Sequence, residues 1–266
     1  MKKLLLANGC SFTYGYEMND AGSLEEARYN PEIDRSSKHA WPQLLGKKLN
    51  MTVRNISLPG CGNDTIYRST VKTVLELLKD GIEPSDILAG IQFTFNDRME
   101  YPYDEYSWKS SLGKDYNRAV KDANCNYRGF WHPFGAGNSK ITEDKANQGF
   151  LNIMILNDYY RFYNTLNSVF SLQQFLHNKG IDYFMLLNTG YVFEEILEED
   201  SLSYFFENID YTKFFFFDNP ERKHYSIYNV ARRIPLPTGK NGHYLNETHE
   251  LLANSLHSWL QDHKYF

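Results

Sequence analysis

Residues Asn8-Gly9-Cys10-Ser11-Phe12-Thr13-Tyr14-Gly15 place a small hydroxyl side chain directly after a short apolar run, Leu4-Leu5-Leu6-Ala7. That run is too brief for a helix and reads as a buried strand. A strand ending in Asn-Gly turns sharply, and the turn lifts the following side chains over the end of the sheet. In open α/β sheets that edge, at the carboxyl ends of the strands, is where ligands bind. Ser11 is therefore the first candidate for a reacting group. A serine hydroxyl is a weak nucleophile until a base takes its proton during attack, so Ser11 needs partners from elsewhere in the chain. Taken alone, a Gly-x-Ser pattern is common and reads more readily as an ordinary turn.

The elements that would position those partners follow in order. Trp41 to Leu49 reads as a helix, with Pro42 in its first turn and Trp41, Leu44, Leu45 and Leu49 on one face. Thr52 to Ser57 is a short strand, closed by the loop Leu58-Pro59-Gly60-Cys61-Gly62-Asn63-Asp64. Tyr67, Val71, Val74, Leu75 and Leu78 form the apolar face of a helix that stops near Asp80-Gly81. Ile87 to Phe93 is a strand that ends at Thr94-Phe95-Asn96-Asp97-Arg98. Strand alternating with helix predicts a parallel sheet with right-handed crossovers. The stretch from Tyr101 to Asn147 breaks this rhythm and reads as a lid, binding loop or insertion, expected over the carboxyl edge of the sheet. Phe150 to Lys179 is an apolar-periodic helix stopped by Gly180, and Ile181 to Asn188 is the next strand. Between Tyr191 and Pro237 the pattern is weaker, with Phe214 to Phe217 as a buried strand or an apolar plug. A last helix starts at Asn246 as its N-cap and turns Leu252, Leu256, Trp259 and Leu260 inward.

Composition sets the class. The 266 residues carry 42% hydrophobic and 23% charged side chains, ordinary for a globular chain, and suit one domain over 1–266 with insertions near 101–147 and 191–237. A net charge of −5 with no basic face argues against nucleic acid as a partner. The start Met1-Lys2-Lys3 followed by four apolar residues is shorter than the roughly 7–15 apolar residues of a secretory signal. No run approaches the roughly 18 apolar residues of a membrane span. Three cysteines, Cys10, Cys61 and Cys125, have no metal-type spacing and point to a reducing, cytoplasmic setting. No metal or other cofactor is expected, since His, Asp and Glu show no ligand spacing and no nucleotide-binding glycine pattern occurs. Nothing in the chain specifies an oligomeric state.

Three loops at predicted strand ends now line up: Ser11 after the first strand, Gly60 after the second and Asn96 after the third. A fourth segment, Gly242-His243-Tyr244-Leu245-Asn246, precedes the C-terminal helix. This order resembles the SGNH (GDSL-like) hydrolase superfamily. Its marks would be Ser11, Gly60, Asn96 and His243. The Gly-Cys-Ser-Phe-Thr-Tyr-Gly start, Trp41-Pro42-Gln43-Leu44-Leu45 and Gly60-Cys61-Gly62-Asn63 look like a poorly characterised bacterial and phage-type branch. The resemblance implies a three-layer α/β/α sandwich with a mostly parallel sheet of about five strands, flavodoxin-like in arrangement. It also implies hydrolysis of a small acyl ester through an acyl-Ser11 intermediate. The substrate would be a small molecule or a carbohydrate, for instance one carrying an O-acetyl group.

In that scheme His243 is the base, suited by an unperturbed pKa near 6.5. The Ser11 and Gly60 N–H groups and the Asn96 amide would stabilise the oxyanion; losing one such donor typically costs about 10²–10³ in rate. The chain departs from the family at three places: Cys10 stands where Asp precedes the nucleophile, Thr94 where a Gly opens the third motif, and Lys240 where an Asp orients the base. Asn241 or a more distant Asp218 is then the candidate orienter of His243. The alternatives are a Ser-His dyad and a non-catalytic module holding a glycan or a protein partner. Cys10 and Cys61 flank the turn as conceivable thiol nucleophiles, with Cys10 expected to point inward. His249 is expected to be structural on the last helix, and His132 to pack in the long loop. If no other carboxylate orients His243, Lys240→Asp should raise esterase activity by stabilising the imidazolium.

Overall fold

The structure, a computed structural model, describes residues 2–22, 35–102, 131–135, 157–188, 200–217 and 226–265. Its centre is a five-stranded, all-parallel sheet built from β1 (Leu4–Asn8), β2 (Thr52–Asn55), β3 (Ile87–Phe93), β6 (Asp182–Leu187) and β7 (Phe214–Phe215), in the order β2-β1-β3-β6-β7. The connections run through α1 (Ser11–Tyr14), α2 (Trp41–Leu49), α3 (Asn63–Lys79), α4 (Asp158–Asn178) and α5 (Ser203–Asn208), and the chain finishes with α6 (Ile227–Arg233) and α7 (Asn246–Asp262).

Right-handed crossovers dictate the layers. From β1 the chain steps one way to β2 through α2, then reverses through α3 to reach β3 on the other side of β1. That reversal puts α2 and α3 on opposite faces. The steps to β6 and β7 continue in the second direction and keep α4 and α5 with α3, while α7 returns to pack on α2. The result is the expected α/β/α sandwich. Between β1 and β3 the strand order reverses, and the crevice at the carboxyl ends of such neighbours is where α/β sheets bind ligands. Ser11 follows β1 and Asn96 follows β3, so both emerge at this crevice.

The central strands explain their own placement. All seven residues of β3 are buried, as suits a strand covered on both faces by helices. Gly90 leaves room for a ring: a Cβ there would lie 2.5 Å from Phe184 Cζ.

Some boundaries differ from the sequence reading. The helix of Tyr67 to Leu78 begins earlier, at Asn63, and Leu245 rather than Asn246 caps α7, without a side-chain bond. Phe214 and Phe215 form an edge strand beside β6, so the buried-strand reading holds there. Within the long insertion, β4 (Arg98–Pro102) and β5 (Trp131–Gly135) pair as a separate antiparallel ribbon that places His132 opposite Tyr101. Most of 101–147 and much of 191–237 lie outside the described residues.

A chain of buried polar groups crosses the carboxyl edge. Thr13 Oγ1 and Trp41 Nε1 both donate to Gln92 Oε1, at 2.7 and 3.0 Å. Gln92 Nε2 donates to Asn188 Oδ1 (3.4 Å), which also accepts from the Tyr244 hydroxyl (3.1 Å). His249, on α7 as expected, accepts the Trp41 N–H at Nδ1 (3.1 Å), while its Nε2 has no partner among the described residues. Accepting at Nδ1 requires the neutral ring, and complete burial pulls the His249 pKa down to about 3.

This depression has a stability signature. The unfolded chain binds a proton at His249 below pH ~6.5 and the folded chain does not until about 3. Stability is therefore complete above pH ~6.5 and falls as pH drops toward 3, at up to about 1.4 kcal/mol per pH unit. His249→Asn removes the titration and keeps an acceptor for Trp41. Urea unfolding at pH 6.5 and pH 5 should show the wild type losing about 2 kcal/mol more than the variant across that interval. Equal losses in the two proteins would rule out this assignment.

Candidate active site

The turn carrying Ser11 is fixed from beneath. Asn8 Nδ2 lies 2.8–2.9 Å from the Ile66 carbonyl, Ser69 Oγ and Thr70 Oγ1 on α3, and Asn8 Oδ1 accepts the Gly9 N–H at 2.8 Å. Gly9 has to be glycine, because a Cβ would fall 2.0 Å from Thr13 Oγ1 and 3.0 Å from the Gln92 carbonyl oxygen. Cys10 is fully buried, as expected, and its carbonyl accepts the Thr13 and Tyr14 N–H groups to start α1 at Ser11.

The neighbouring loops are tied to this turn and to one another. Leu58 N–H and Cys61 Sγ–H both point to the Gly9 carbonyl, at 3.0 and 3.3 Å, which holds the Gly60 loop against the turn that carries Ser11. Gly60 itself sits at φ 85°, a backbone that side-chain-bearing residues rarely adopt. Asn63 accepts the Thr94 N–H at 2.7 Å and donates to the Thr94 carbonyl at 3.3 Å, linking the Gly60 loop to the segment that carries Asn96. At the second departure from the family pattern, Thr94 therefore makes an interaction that needs only its backbone. Among the described residues, the Ser11 and Gly60 N–H groups and the Asn96 amide donate no hydrogen bond within the protein.

His243 arrives on a tight loop before α7. A bridge between Thr238 and Tyr244 closes the loop; Gly239 N–H donates to the His243 carbonyl (2.8 Å) and Gly242 N–H to the Gly239 carbonyl (3.0 Å). The imidazole is packed by Phe12 and Tyr16, with ring centroids 5.0 and 5.1 Å away. Its Nε2 is 2.9 Å from Ser11 Oγ.

The other ring nitrogen meets a residue the sequence reading missed. His243 Nδ1 lies 2.7 Å from Glu17 Oε2. Asn241, the first candidate orienter, does not touch the imidazole in this way. Its backbone N–H and its side-chain amide each donate to Glu17 Oε1 at 2.9 Å, so it holds the carboxylate that holds the histidine. The physical reason is donor–acceptor matching: Nδ1–H needs an acceptor, and a carboxylate offers one of full charge where an amide does not. Asp218 lies outside the described residues. Lys240 is exposed, and the orienting carboxylate that its position was expected to lack comes from Glu17 instead.

Glu17 reaches His243 because the chain doubles back after α1. Gly15 ends the helix at φ 75°, and Glu17 itself is held at φ 71°. A non-glycine residue there costs about 1–3 kcal/mol and persists only where its surroundings determine it. Gly239 is part of those surroundings, since a Cβ on it would lie 2.7 Å from Glu17 Oε2. A sequence signal existed in the glycine closely following Ser11, which marks a return of the chain, but the polar stretch from Glu17 onward has no periodicity to single out one carboxylate. Burial works to raise the Glu17 pKa, yet hydrogen bonds from His243 and Asn241 outweigh it and hold the carboxyl below its ordinary value. An ionised Glu17 only accepts, so the proton sits on His243 Nδ1 and the Nε2 lone pair faces the Ser11 hydroxyl.

Cys61 is buried with its Sγ–H on the Gly9 carbonyl, and Cys10 is fully buried beneath the turn. No group of three or more His, Cys, Asp or Glu that would hold a metal occurs among the described residues. No helix among them is long and apolar enough to cross a membrane.

No protein-family profile matches the chain, and comparison with characterised proteins finds no similar sequence. Solved structures are similar in arrangement. One is described as a lipolytic protein of the G-D-S-L family from Desulfitobacterium hafniense DCB-2, with 13% identity and a TM-score of 0.45 over 97% of this chain and 100% of that one. A carbohydrate esterase family 2 enzyme with a carbohydrate-binding domain, from Corynascus thermopiles (Myceliophthora fergusii), gives 11% identity and a TM-score of 0.49 over 100% of this chain and 68% of its own. An acetyl xylan esterase from Butyrivibrio proteoclasticus gives 13% and 0.46, over 98% and 64%. None of the three reaches a TM-score of 0.5, and the chemistry below rests on the side chains around Ser11.

The Glu17 contact is directly measurable. With its carboxyl carbon followed by NMR across a pH titration, Glu17 should titrate below an ordinary glutamate. His243→Ala removes one of the bonds that lower it and leaves burial opposed by less, so the midpoint should move upward. An unchanged midpoint would show that the pair does not form in solution.

Proposed function

We propose that this protein is a serine ester hydrolase in which Ser11, His243 and Glu17 act as nucleophile, base and orienting carboxylate. The observation that carries the reading is the simultaneous engagement of both imidazole nitrogens, Nε2 with Ser11 Oγ at 2.9 Å and Nδ1 with Glu17 Oε2 at 2.7 Å. A structural histidine needs no nucleophile on one side and a half-buried carboxylate on the other. In the catalytic sequence the Ser11 oxygen attacks the ester carbonyl as its proton passes to Nε2. Glu17 stabilises the imidazolium that forms, and the Nε2 proton then leaves with the alcohol. Water, activated by the same nitrogen, releases the acyl group from Ser11.

The charge on the carbonyl oxygen needs donors in place before it develops. Ser11 N–H, Gly60 N–H and the Asn96 amide fit that role, being on loops bonded to one another and free of internal acceptors among the described residues. The substrate we infer is a small acyl ester, such as an O-acetyl group on a carbohydrate. Phe12, Phe95 and Tyr228 form a run of rings beside the imidazole, with centroids 6.2 and 6.4 Å apart, and such surfaces suit an apolar acyl group or a sugar face. The non-catalytic alternative drew its support from the lack of an orienting carboxylate, and Glu17 removes that support.

Hydrolysis of a small aryl acetate should vanish in Ser11→Ala together with labelling by a fluorophosphonate probe. Glu17→Gln should keep the fold and lower kcat by about 10²–10⁴, as loss of the orienting charge does in a serine triad. Lys240→Asp should give no gain, because the position it would serve is occupied. Wild-type hydrolysis undiminished in Ser11→Ala would exclude this reading.

A further inference from the structure

The dipeptide Asn-Gly occurs twice in this chain, at Asn8-Gly9 and Asn241-Gly242. Its chemistry is the same at both sites. The glycine nitrogen attacks the asparagine Cγ, a succinimide ring closes, the Cγ–Nδ2 bond breaks and ammonia leaves with the proton lost by the glycine nitrogen. Water then opens the ring at either carbonyl carbon, giving aspartate or isoaspartate. Glycine favours the reaction because it has no side chain to obstruct the attack.

The surroundings separate the two sites. Asn8 is buried, its amide shared among three acceptors on α3 and its Oδ1 holding Gly9 N–H, so neither group is free to react. Asn241 and Gly242 are exposed on the turn, with Gly242 at φ 80° and open space where its side chain would be. Two bonds restrain the reaction there: Asn241 Nδ2 to Glu17 Oε1 at 2.9 Å, and Gly242 N–H to the Gly239 carbonyl at 3.0 Å. Both belong to one surface loop, whose local opening releases them together.

We propose that Asn241-Gly242 is a self-modification site at which deamidation disarms the Ser11–His243–Glu17 group, and that Glu17 is the clamp that slows it. The inference rests on the catalytic reading above. An aspartate at 241 turns a donor into a second carboxylate 2.9 Å from Glu17 Oε1, and the two share a proton or part. In either case Glu17 ceases to be a fixed, ionised acceptor for His243. Isoaspartate adds a backbone carbon to the loop two residues before His243 and shifts the imidazole itself. Asn241 is thus a positioning residue whose neutrality the site requires.

The test follows mass and rate together. The full chain is aged at mildly alkaline pH, and peptide mapping scores the mass gain of an acid over an amide at Asn241 and Asn8. Asn241 should convert, Asn8 should not, and kcat/KM should fall in proportion to conversion at 241. Freshly made Asn241→Asp should already be lower by about tenfold or more, with the acid limb of its pH profile moved upward. Glu17→Ala should speed conversion at 241, and Glu17→Gln, which keeps an acceptor, should restore the slow rate. Continued protection of Asn8 certifies that each variant is folded. No conversion at 241 in wild type and Glu17→Ala, or full conversion with undiminished rate, overturns the proposal. A fresh wild type whose hydrolysis survives Ser11→Ala defeats the catalytic reading and with it the disarming step; the mass record needs no turnover and tells the two failures apart.

Discussion

The side-chain oxygen of Gln92 holds this site in place. It lies at the end of β3, fully buried, and accepts from Thr13 on the helix that begins with Ser11 and from Trp41 at the start of α2. Through its amide nitrogen it reaches Asn188 at the end of β6, and Asn188 reaches the hydroxyl of Tyr244, the residue after His243. One polar chain therefore joins the segment of Ser11 to the segment of His243 across the width of the sheet. In an apolar interior each of these groups, left unpaired, costs about 1–3 kcal/mol. The network accordingly specifies a single arrangement of loops rather than merely adding stability.

A second constraint acts at the surface of the same crevice. The loops after β1, β2 and β3 are bonded in sequence, Gly9 to Leu58 and Cys61, then Asn63 to Thr94. These bonds tie the backbones of the Ser11 turn and the Gly60 loop to the segment that leads into Asn96. Glu17 at a left-handed φ stores local strain there, offset by two donors from Asn241 and one from the His243 ring.

Much of this was legible in the residues. The alternation of short apolar runs with amphipathic periods gave the parallel sheet, and the glycines and asparagine at strand ends pointed to the crevice. Ser11 and His243 were visible because a hydroxyl and an imidazole next to strand and helix ends have few alternatives in this chain. Glu17 was not, for a physical reason: its position depends on two consecutive reversals of the backbone at Gly15 and Glu17, and no periodic pattern records where such a reversal aims a side chain. Asn241 was noticed for its nearness to His243, but its contact runs to the carboxylate. Sequence proximity gave the neighbourhood, and hydrogen-bonding capacity decided the partner.

The separation of the three residues along the chain has a bearing on how the molecule comes into being. Ser11 and Glu17 leave the ribosome almost together, and His243 and the loop of Gly239 follow more than two hundred residues later. The contact that joins them spans more than two hundred residues, and the loop that carries His243 leads directly into α7, which packs on α2. A nascent or truncated chain holds the hydroxyl and the carboxylate without the imidazole between them. The Ser11–His243–Glu17 contact thus forms only once His243 has been made, by which point all five strands of the sheet have been synthesised.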